Sequence, residues 1–181
     1  MSRRVRAYVG LGSNLGDARA TLENAVKALG ALPGVQVREV SRVYRTRPVG
    51  VTDQPDFHNA VVALDVPLGP DPETGALALL AALKGLEQAF GRQQRDRWVA
   101  RELDLDLLIF GRHRINAERP DGQSLQVPHT RAQERLFVLA PLADLAAGLK
   151  PPGWRETVET ARRRQLEIEG ADAVQDAGTI S

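Results

Sequence analysis

At 181 residues, 43% of them hydrophobic and 26% charged, the chain is long enough to bury one core, and a single domain is the expectation. The absence of cysteine excludes disulfides and thiolate metal sites, and a formal net charge of +1 gives no global attraction to nucleic acid. The N-terminal MSRRVRAYVGLGSN lacks the apolar stretch of a signal peptide, and no window reaches the roughly 18 apolar residues of a membrane helix, so the cytoplasm is the expected location.

Residues 5–9 are a β-branched and aromatic run that predicts a strand, ending in the glycines of GLGSNLGD. That glycine segment has neither the spacing of a dinucleotide fingerprint nor a following Gly-Lys-Ser/Thr, and it reads as a turn that launches a helix. Asp17 is placed to cap this helix, whose apolar positions Leu22, Ala25, Val26 and Leu29 follow the helical period. Pro33-Gly34 breaks the pattern. Val35, Val37, Glu39, Ser41 and Val43 then alternate as one strand face, closed by Tyr44. Two prolines and a glycine make 45–55 a loop. Residues 57–66 (FHNAVVALDV) read as a largely buried strand, and 72–90 as the longest helix, with Leu77, Leu80, Leu83 and Leu86 near one stripe. The polar, arginine-rich stretch 91–100 is a loop, and 103–110 a strand ended by Gly111.

This β-α-β-β-α-β order predicts an α+β fold, a ferredoxin-like core with an antiparallel sheet and its helices packed on one face. An irregular segment, INAERPDGQS, follows, then short C-terminal helices over 130–135 and 140–145. Pro151-Pro152-Gly153 makes a break, and a last helix is expected from Trp154 onward. One domain is expected over 1–169, with 170–181 a frayed tail because it has few apolar anchors.

The segment 91–106, GRQQRDRWVARELDLD, carries the most chemistry. Asp104 and Asp106 sit two apart in a strand and project from one face, while Leu103, Leu105 and Leu107 take the other. Two carboxylates this close repel, and a divalent cation removes that cost. Oxygen-only ligands suit Mg²⁺, which binds substrate phosphates as well. An isolated DLD also fits a half-exposed strand with its acidic residues outward. The context favours the metal, because Arg92, Arg95, Arg97 and Arg101 crowd the approach to the pair, as in a magnesium–polyphosphate site. A second cluster, YRTRPVGVTDQPDFHN at 44–59, has a loop stiffened by Pro48 and Pro55, then Phe57 and Asn59 on one strand face. A ring beside an amide can stack on and hydrogen-bond a flat heterocycle; a core Phe and a turn-forming Asn are the plainer reading. His58 and His113 show no ligand spacing and read as surface or packing residues.

Together with VPHTRAQERLF at 127–137, these clusters resemble the 6-hydroxymethyl-7,8-dihydropterin pyrophosphokinase family, which transfers the diphosphate of ATP to a pterin alcohol in folate synthesis and releases AMP. The resemblance runs from about residue 7 to 145 in four blocks kept in order: GLGSNLGD; YRTRPVG with DQPDFHNA; GR with RW and LDLDLLIFG; and VPH with RLFVLAPL. It implies that Asp104 and Asp106 hold two Mg²⁺ ions, and that Arg92 and Arg101 bind the polyphosphate and stabilise the charge that develops in transfer. Thr46, Val49, Phe57, Asn59, Trp98 and Phe137 match positions around the pterin, with Trp98 and Phe137 suited to sandwiching its ring. Lys84, Glu87, His129 and Arg135 match nucleotide-site positions, Leu107 lies where the family's backbone meets the adenine, and Arg97 is a loop arginine that reaches the phosphates. The implied partners are ATP and a reduced pterin alcohol, with a monomeric protein and no nucleic acid or membrane. The chain departs from the family where Val99-Ala100 replaces the usual Gly-Pro and where residues 120–124 are inserted before VPH. Two other classes fit such a fold. An RNA-binding sheet would need an aromatic run that the 4% aromatic content does not supply, and a regulatory small-molecule module would need no acidic pair.

Overall fold

The computed structural model describes residues 3–47, 54–91, 103–119, 121–122 and 124–180. Strands β1 (Arg4–Ser13), β2 (Gln36–Val40), β3 (Arg42–Thr46), β4 (Phe57–Pro67) and β5 (Asp104–Phe110) build the expected antiparallel sheet. Its order runs β5-β1-β4-β3, with β2 also on β4, which is the strand order of a ferredoxin-like core. β1 and β4 pair along their whole length, from Arg4 opposite Pro67 to Ser13 opposite His58. Six consecutive residues of β4, Asn59 to Leu64, are buried. Such a run requires cover on both faces of the sheet.

Helices α1 (Ala18–Gly30) and α2 (Pro72–Gly91) cover one face, burying Leu22, Leu29 and Leu83 against Val9, Leu11, Val62, Leu64 and Leu105. Asp17 caps α1 as expected, its carboxylate accepting from Ala20 N–H at 3.0 Å. The opposite face is covered by α3 (Leu136–Ala146) and α4 (Val158–Glu169), whose Leu139, Leu142, Val158 and Ala161 join Trp154 against Val61, Leu108 and Ile109. The two helices of the βαββαβ core thus share one face as expected, and the C-terminal helices take the other. Val61, Leu108 and Ile109 form a second apolar surface, and the C-terminal helices are what bury it. Those helices also differ in extent. The stretch 130–135 holds only a 3-10 turn at Ala132–Glu134, and α3 begins at Leu136 and runs through Pro141.

Three further corrections concern strands. The run 35–44 is broken at Ser41, whose hydroxyl accepts from Val61 N–H at 2.8 Å and whose own N–H donates to Val61 C=O at 2.9 Å. A register shift between Val37 and Glu39 leaves Glu39 exposed and lets Val40 pack against the core. The segment after residue 111 is a hairpin, β6 (Ile115–Glu118) with β7 (Ser124–Val127), burying Ile115, Ala117, Leu125 and Val127 by strict alternation. Of the residues read as inserted, Asp121 and Gly122 lie between the two strands and Ser124 begins β7.

The tail also departs from expectation. β8 (Val174–Thr179) pairs with β3, from Thr46 opposite Val174 to Arg42 opposite Thr179. Its anchors are mostly polar, with Ala177 and Ile180 packing on the core. Arg19 of α1 donates to the carbonyls of Ala177 and Thr179, Arg42 pairs with Asp176 at 2.6 Å, and Ile180 is buried beyond the strand. A reading based on apolar content could not register an edge strand that completes its pairing on the exposed side of β3.

Asp144 of α3 ties this edge to the helical layer, accepting from Arg42 N–H at 3.1 Å and from the Tyr44 hydroxyl at 2.9 Å. Burial, and then the Asp144 carboxylate, push the Tyr44 phenol well above its ordinary value. Asp144→Ala is expected to destabilise by about 1–2 kcal/mol, because two charge-assisted bonds are lost at an exposed carboxylate. Thermal denaturation should show a drop of roughly 2–8 °C. An unchanged midpoint would mean that these bonds add nothing to the fold.

Candidate active site

Strand register places the site. Asn59 of β4, Gly12 of β1 and Asp104 of β5 lie side by side, and Val61, Gly10 and Asp106 form the next row. Interstrand spacings of ~4.8 Å put the amide row-end roughly 10 Å from the carboxylate row-end. The central strand contributes only glycines to these two rows, so no side chain rises between them. A Cβ at Gly12 would come within 3.0 Å of Asn59 Oδ1. The glycine segment is thus strand as far as Ser13 and only then the expected turn into α1, and the missing side chains of Gly10 and Gly12 open the floor of a cleft. A period of two between Gly10 and Gly12 was the available signal.

Above this floor lies a cavity of about 680 Å³, walled by Thr46, Phe57 and Asn59 on one side, Asp104 and Asp106 on the other, and Arg135 and Phe137 at the start of α3. Asn59 is buried and donates to Thr46 Oγ1 at 3.4 Å, which fixes its amide. The Arg135 guanidinium lies 5.7 Å from the centre of the Phe137 ring. Leu103, Leu105 and Leu107 point into the first core as expected, leaving the two aspartates on the cleft face.

A second cavity, of about 210 Å³, opens on the outer side of β5. Lys84, Leu107, Arg119, His129 and Thr130 line it, and Asp106 borders both cavities. Burial pushes the His129 imidazole below its ordinary value, opposed by the Asp106 carboxylate. That leaves the ring neutral at pH 7, able to donate one hydrogen bond and accept another. The main chain of 127–130 is held to β5 by His129 N–H, which donates to Leu108 C=O at 2.9 Å. Leu108 is the extra residue of a bulge opposite Tyr8 and Val9.

Two sequence-derived nucleotide positions sit elsewhere than in this smaller cavity. Arg135 lines the larger one. Glu87 braces β5 from behind, accepting from Leu105 N–H at 2.8 Å and from Lys84 Nζ at 2.9 Å. Val49, Arg92, Arg97, Trp98 and Arg101 lie outside the described residues. The larger cavity gains residues that sequence reasoning did not single out: Gly10, Gly12, and Glu169, Asp172 and Ala173 from the C-terminal segment.

Among the described residues no group of three or more His, Cys, Asp or Glu side chains gathers to hold a metal. The donor set at the cavity junction is two carboxylates on one strand face, with no nitrogen or sulfur ligand required. This fits Mg²⁺, which takes one or two carboxylates and completes its shell with water and substrate phosphates.

A helix-covered antiparallel sheet whose cleft joins a carboxylate pair to an amide-and-aromatic wall suits a nucleotide-dependent phosphotransferase acting on a flat heterocycle. Residues 8–147 match the family described as 7,8-dihydro-6-hydroxymethylpterin-pyrophosphokinase. The 2-amino-4-hydroxy-6-hydroxymethyldihydropteridine pyrophosphokinase of Pseudomonas aeruginosa is 44% identical over 154 residues, covering 85% of this chain and 88% of that protein. The enzyme of the same name from Methylorubrum extorquens is 42% identical over 170 residues, covering 94% and 99%. A crystal structure of Plasmodium falciparum HPPK-DHPS A437G with SDX-DHP shares the fold, with a TM-score of 0.78 at 14% identity. That match covers 97% of this chain, which spans about half of the solved protein (49%). The chain belongs to the 7,8-dihydro-6-hydroxymethylpterin-pyrophosphokinase family. No helix of the described residues is long and apolar enough to cross a membrane.

Proposed function

We propose that the two joined cavities carry out the pyrophosphokinase reaction of this family: diphosphate passes from ATP to 6-hydroxymethyl-7,8-dihydropterin, giving AMP and the pterin diphosphate ester for tetrahydrofolate biosynthesis. The observation that supports this most is Asp106, which borders both cavities at once while Asn59 stands two strands away across a glycine floor. A flat bicyclic ring held at Asn59 then directs its hydroxymethyl arm toward the carboxylates.

On the pterin side, Asn59, with Thr46 behind it, meets the polar edge of the ring. Phe57 and Phe137 supply apolar wall, and the family resemblance adds Trp98 and Val49, which lie outside the described residues. On the nucleotide side, Lys84 and neutral His129 offer hydrogen bonds, the backbone at Leu107 faces the adenine, and Glu87 holds β5 through Leu105 N–H. Arg135, stacked near Phe137 in the cavity that the carboxylates also line, is the cation offered to the phosphates. Asp104 and Asp106 would hold two Mg²⁺ ions, which would supply charge neutralisation on the phosphates and lower the pKa of the attacking alcohol. The bond from the hydroxymethyl oxygen to the β-phosphorus forms as the bridge to the α-phosphate breaks, AMP leaves with the bridging oxygen, and the alcohol proton is released to water. Arg92 and Arg101 stabilise the charge on the transferring group, with Arg97 joining from the loop. The setting this reading implies is a cytoplasmic monomer with no nucleic-acid or membrane partner.

Incubation with ATP, Mg²⁺ and the reduced pterin alcohol is expected to yield AMP and pterin diphosphate in equal amounts. Stoichiometric ADP with a pterin monophosphate would overturn the assignment, whatever the fold.

A further inference from the structure

We infer that the C-terminal segment 169–174 is a working wall of the pterin cavity and that Glu169 is the positioning residue for Phe137. The inference rests on the reading of the larger cavity as the pterin site. Helix α3 begins at Leu136, and its N-cap residue Arg135 provides no side-chain cap. The first N–H groups of a helix have no partner within it. Glu169, the last residue of α4, supplies one from another helix: its Oε2 accepts from Leu136 N–H at 2.9 Å and from Gln165 Nε2 at 2.8 Å. Negative charge at that end of α3 is also favourable. The residues flanking Leu136 are Arg135 and Phe137, and both line the cavity. Glu169 therefore sets where α3 starts, and with it where the Phe137 ring stands. Its other oxygen has no partner among the described residues, and Glu169 itself lines the cavity.

The chain beyond Glu169 is held on both sides. Gly170 adopts φ 94°, a conformation open to glycine, and its N–H donates to Leu166 C=O at 2.8 Å. Ala173 N–H closes a turn on Gly170 C=O at 3.2 Å, and Asp172 and Ala173 line the cavity. Val174 then pairs with Thr46, which stands on the opposite wall beside Asn59. Six residues thus span the cavity rim from the start of α3 to the end of β3. The segment joins the two walls between which the ring lies, so disturbing it alters ring binding more than nucleotide binding, which it reaches only through Arg135.

Steady-state kinetics of Glu169→Ala, Glu169→Gln and Glu169→Asp provide the test. Loss of one charge-assisted hydrogen bond predicts a rise of roughly 10-fold in KM for the pterin alcohol in Glu169→Ala, with KM for ATP within about twofold. Glu169→Gln keeps a carbonyl oxygen for Leu136 N–H and is expected to stay within about threefold of the wild type. Glu169→Asp withdraws the carboxylate by one methylene and should resemble Ala; it takes the place of Ala if that variant does not fold. An unchanged pterin KM in Ala or Asp overturns the inference. So does an equal rise for both substrates that Gln does not rescue, which would mark a general packing role. Absence of pterin turnover in the wild type would instead bring down the reading of the cavity itself.

Discussion

Asp106→Ala is expected to lower AMP release by about 10³-fold or more, which corresponds to about 4 kcal/mol of lost transition-state stabilisation. The expectation follows from position: this exposed carboxylate borders both cavities, where a metal ion would meet the phosphates and the attacking alcohol together. The fold should be untouched. Leu105 and Leu107 on the opposite face keep their burial, and the backbone pairing of Asp106 with Gly10 needs no side chain. Thermal denaturation of the variant should therefore match the wild type to within about 0.5 kcal/mol, as for a surface substitution. Asp106→Asn is the milder case, because it keeps an oxygen ligand but loses the charge. Near-normal turnover of Asp106→Ala at limiting Mg²⁺ would remove the carboxylate pair from the mechanism.

Gly75→Ala is expected to destabilise the fold by about 2–4 kcal/mol, a large cost for one added methyl group. In α2 a Cβ at Gly75 would stand 1.9 Å from Leu68 O and 2.7 Å from Leu68 C, with Phe110 Cζ at 3.2 Å. The first two are backbone atoms in the connection leaving β4, so no rotamer change relieves the contact. The helix is held against them by its own start, where Asp71 accepts from Thr74 N–H at 2.8 Å and Asp71 C=O accepts from Gly75 N–H at 3.0 Å. Alanine's better helix propensity, about 1 kcal/mol over glycine, is outweighed. Gly85 is the internal control. It lies in the same helix with nothing within 4 Å of its Cβ position, so Gly85→Ala should be neutral or stabilising by up to about 1 kcal/mol. Chemical denaturation of the two variants decides the matter, and equal midpoints would show that α2 does not press on Leu68.

Much of the candidate site was legible because the chemistry is written with a local period. Asp104 and Asp106 share a face by the alternation of any strand, and Leu103, Leu105 and Leu107 confirm the parity by their burial. The same holds for Phe57 and Asn59 in β4, which both line the larger cavity. Arg135 was harder: the resemblance assigned it to the nucleotide, and that it shares a cavity with Phe137 depends on packing. Glu87 matches a nucleotide-site position by resemblance, and its bond from Leu105 N–H is a contact that chain position alone does not reveal.

The sequence by itself determined what depends on neighbours a few residues apart: the cap at Asp17, the helical stripe of α1, the alternation in β5, and the β-α-β-β-α-β order. The tertiary structure decided what depends on which edges and faces remain uncovered. Gly10 and Gly12 look like a turn until β4 and β5 flank them, and only then do their absent side chains become a floor. Val61, Leu108 and Ile109 look like ordinary strand residues until the second face of the sheet needs α3 and α4 to bury it. The stretch 174–179 has too few apolar residues to fold on its own account, yet β3 presents an open edge and Arg19 presents a donor pair, and the tail becomes strand. Backbone pairing is blind to side-chain type, so such a strand is specified by its partner rather than by its own composition.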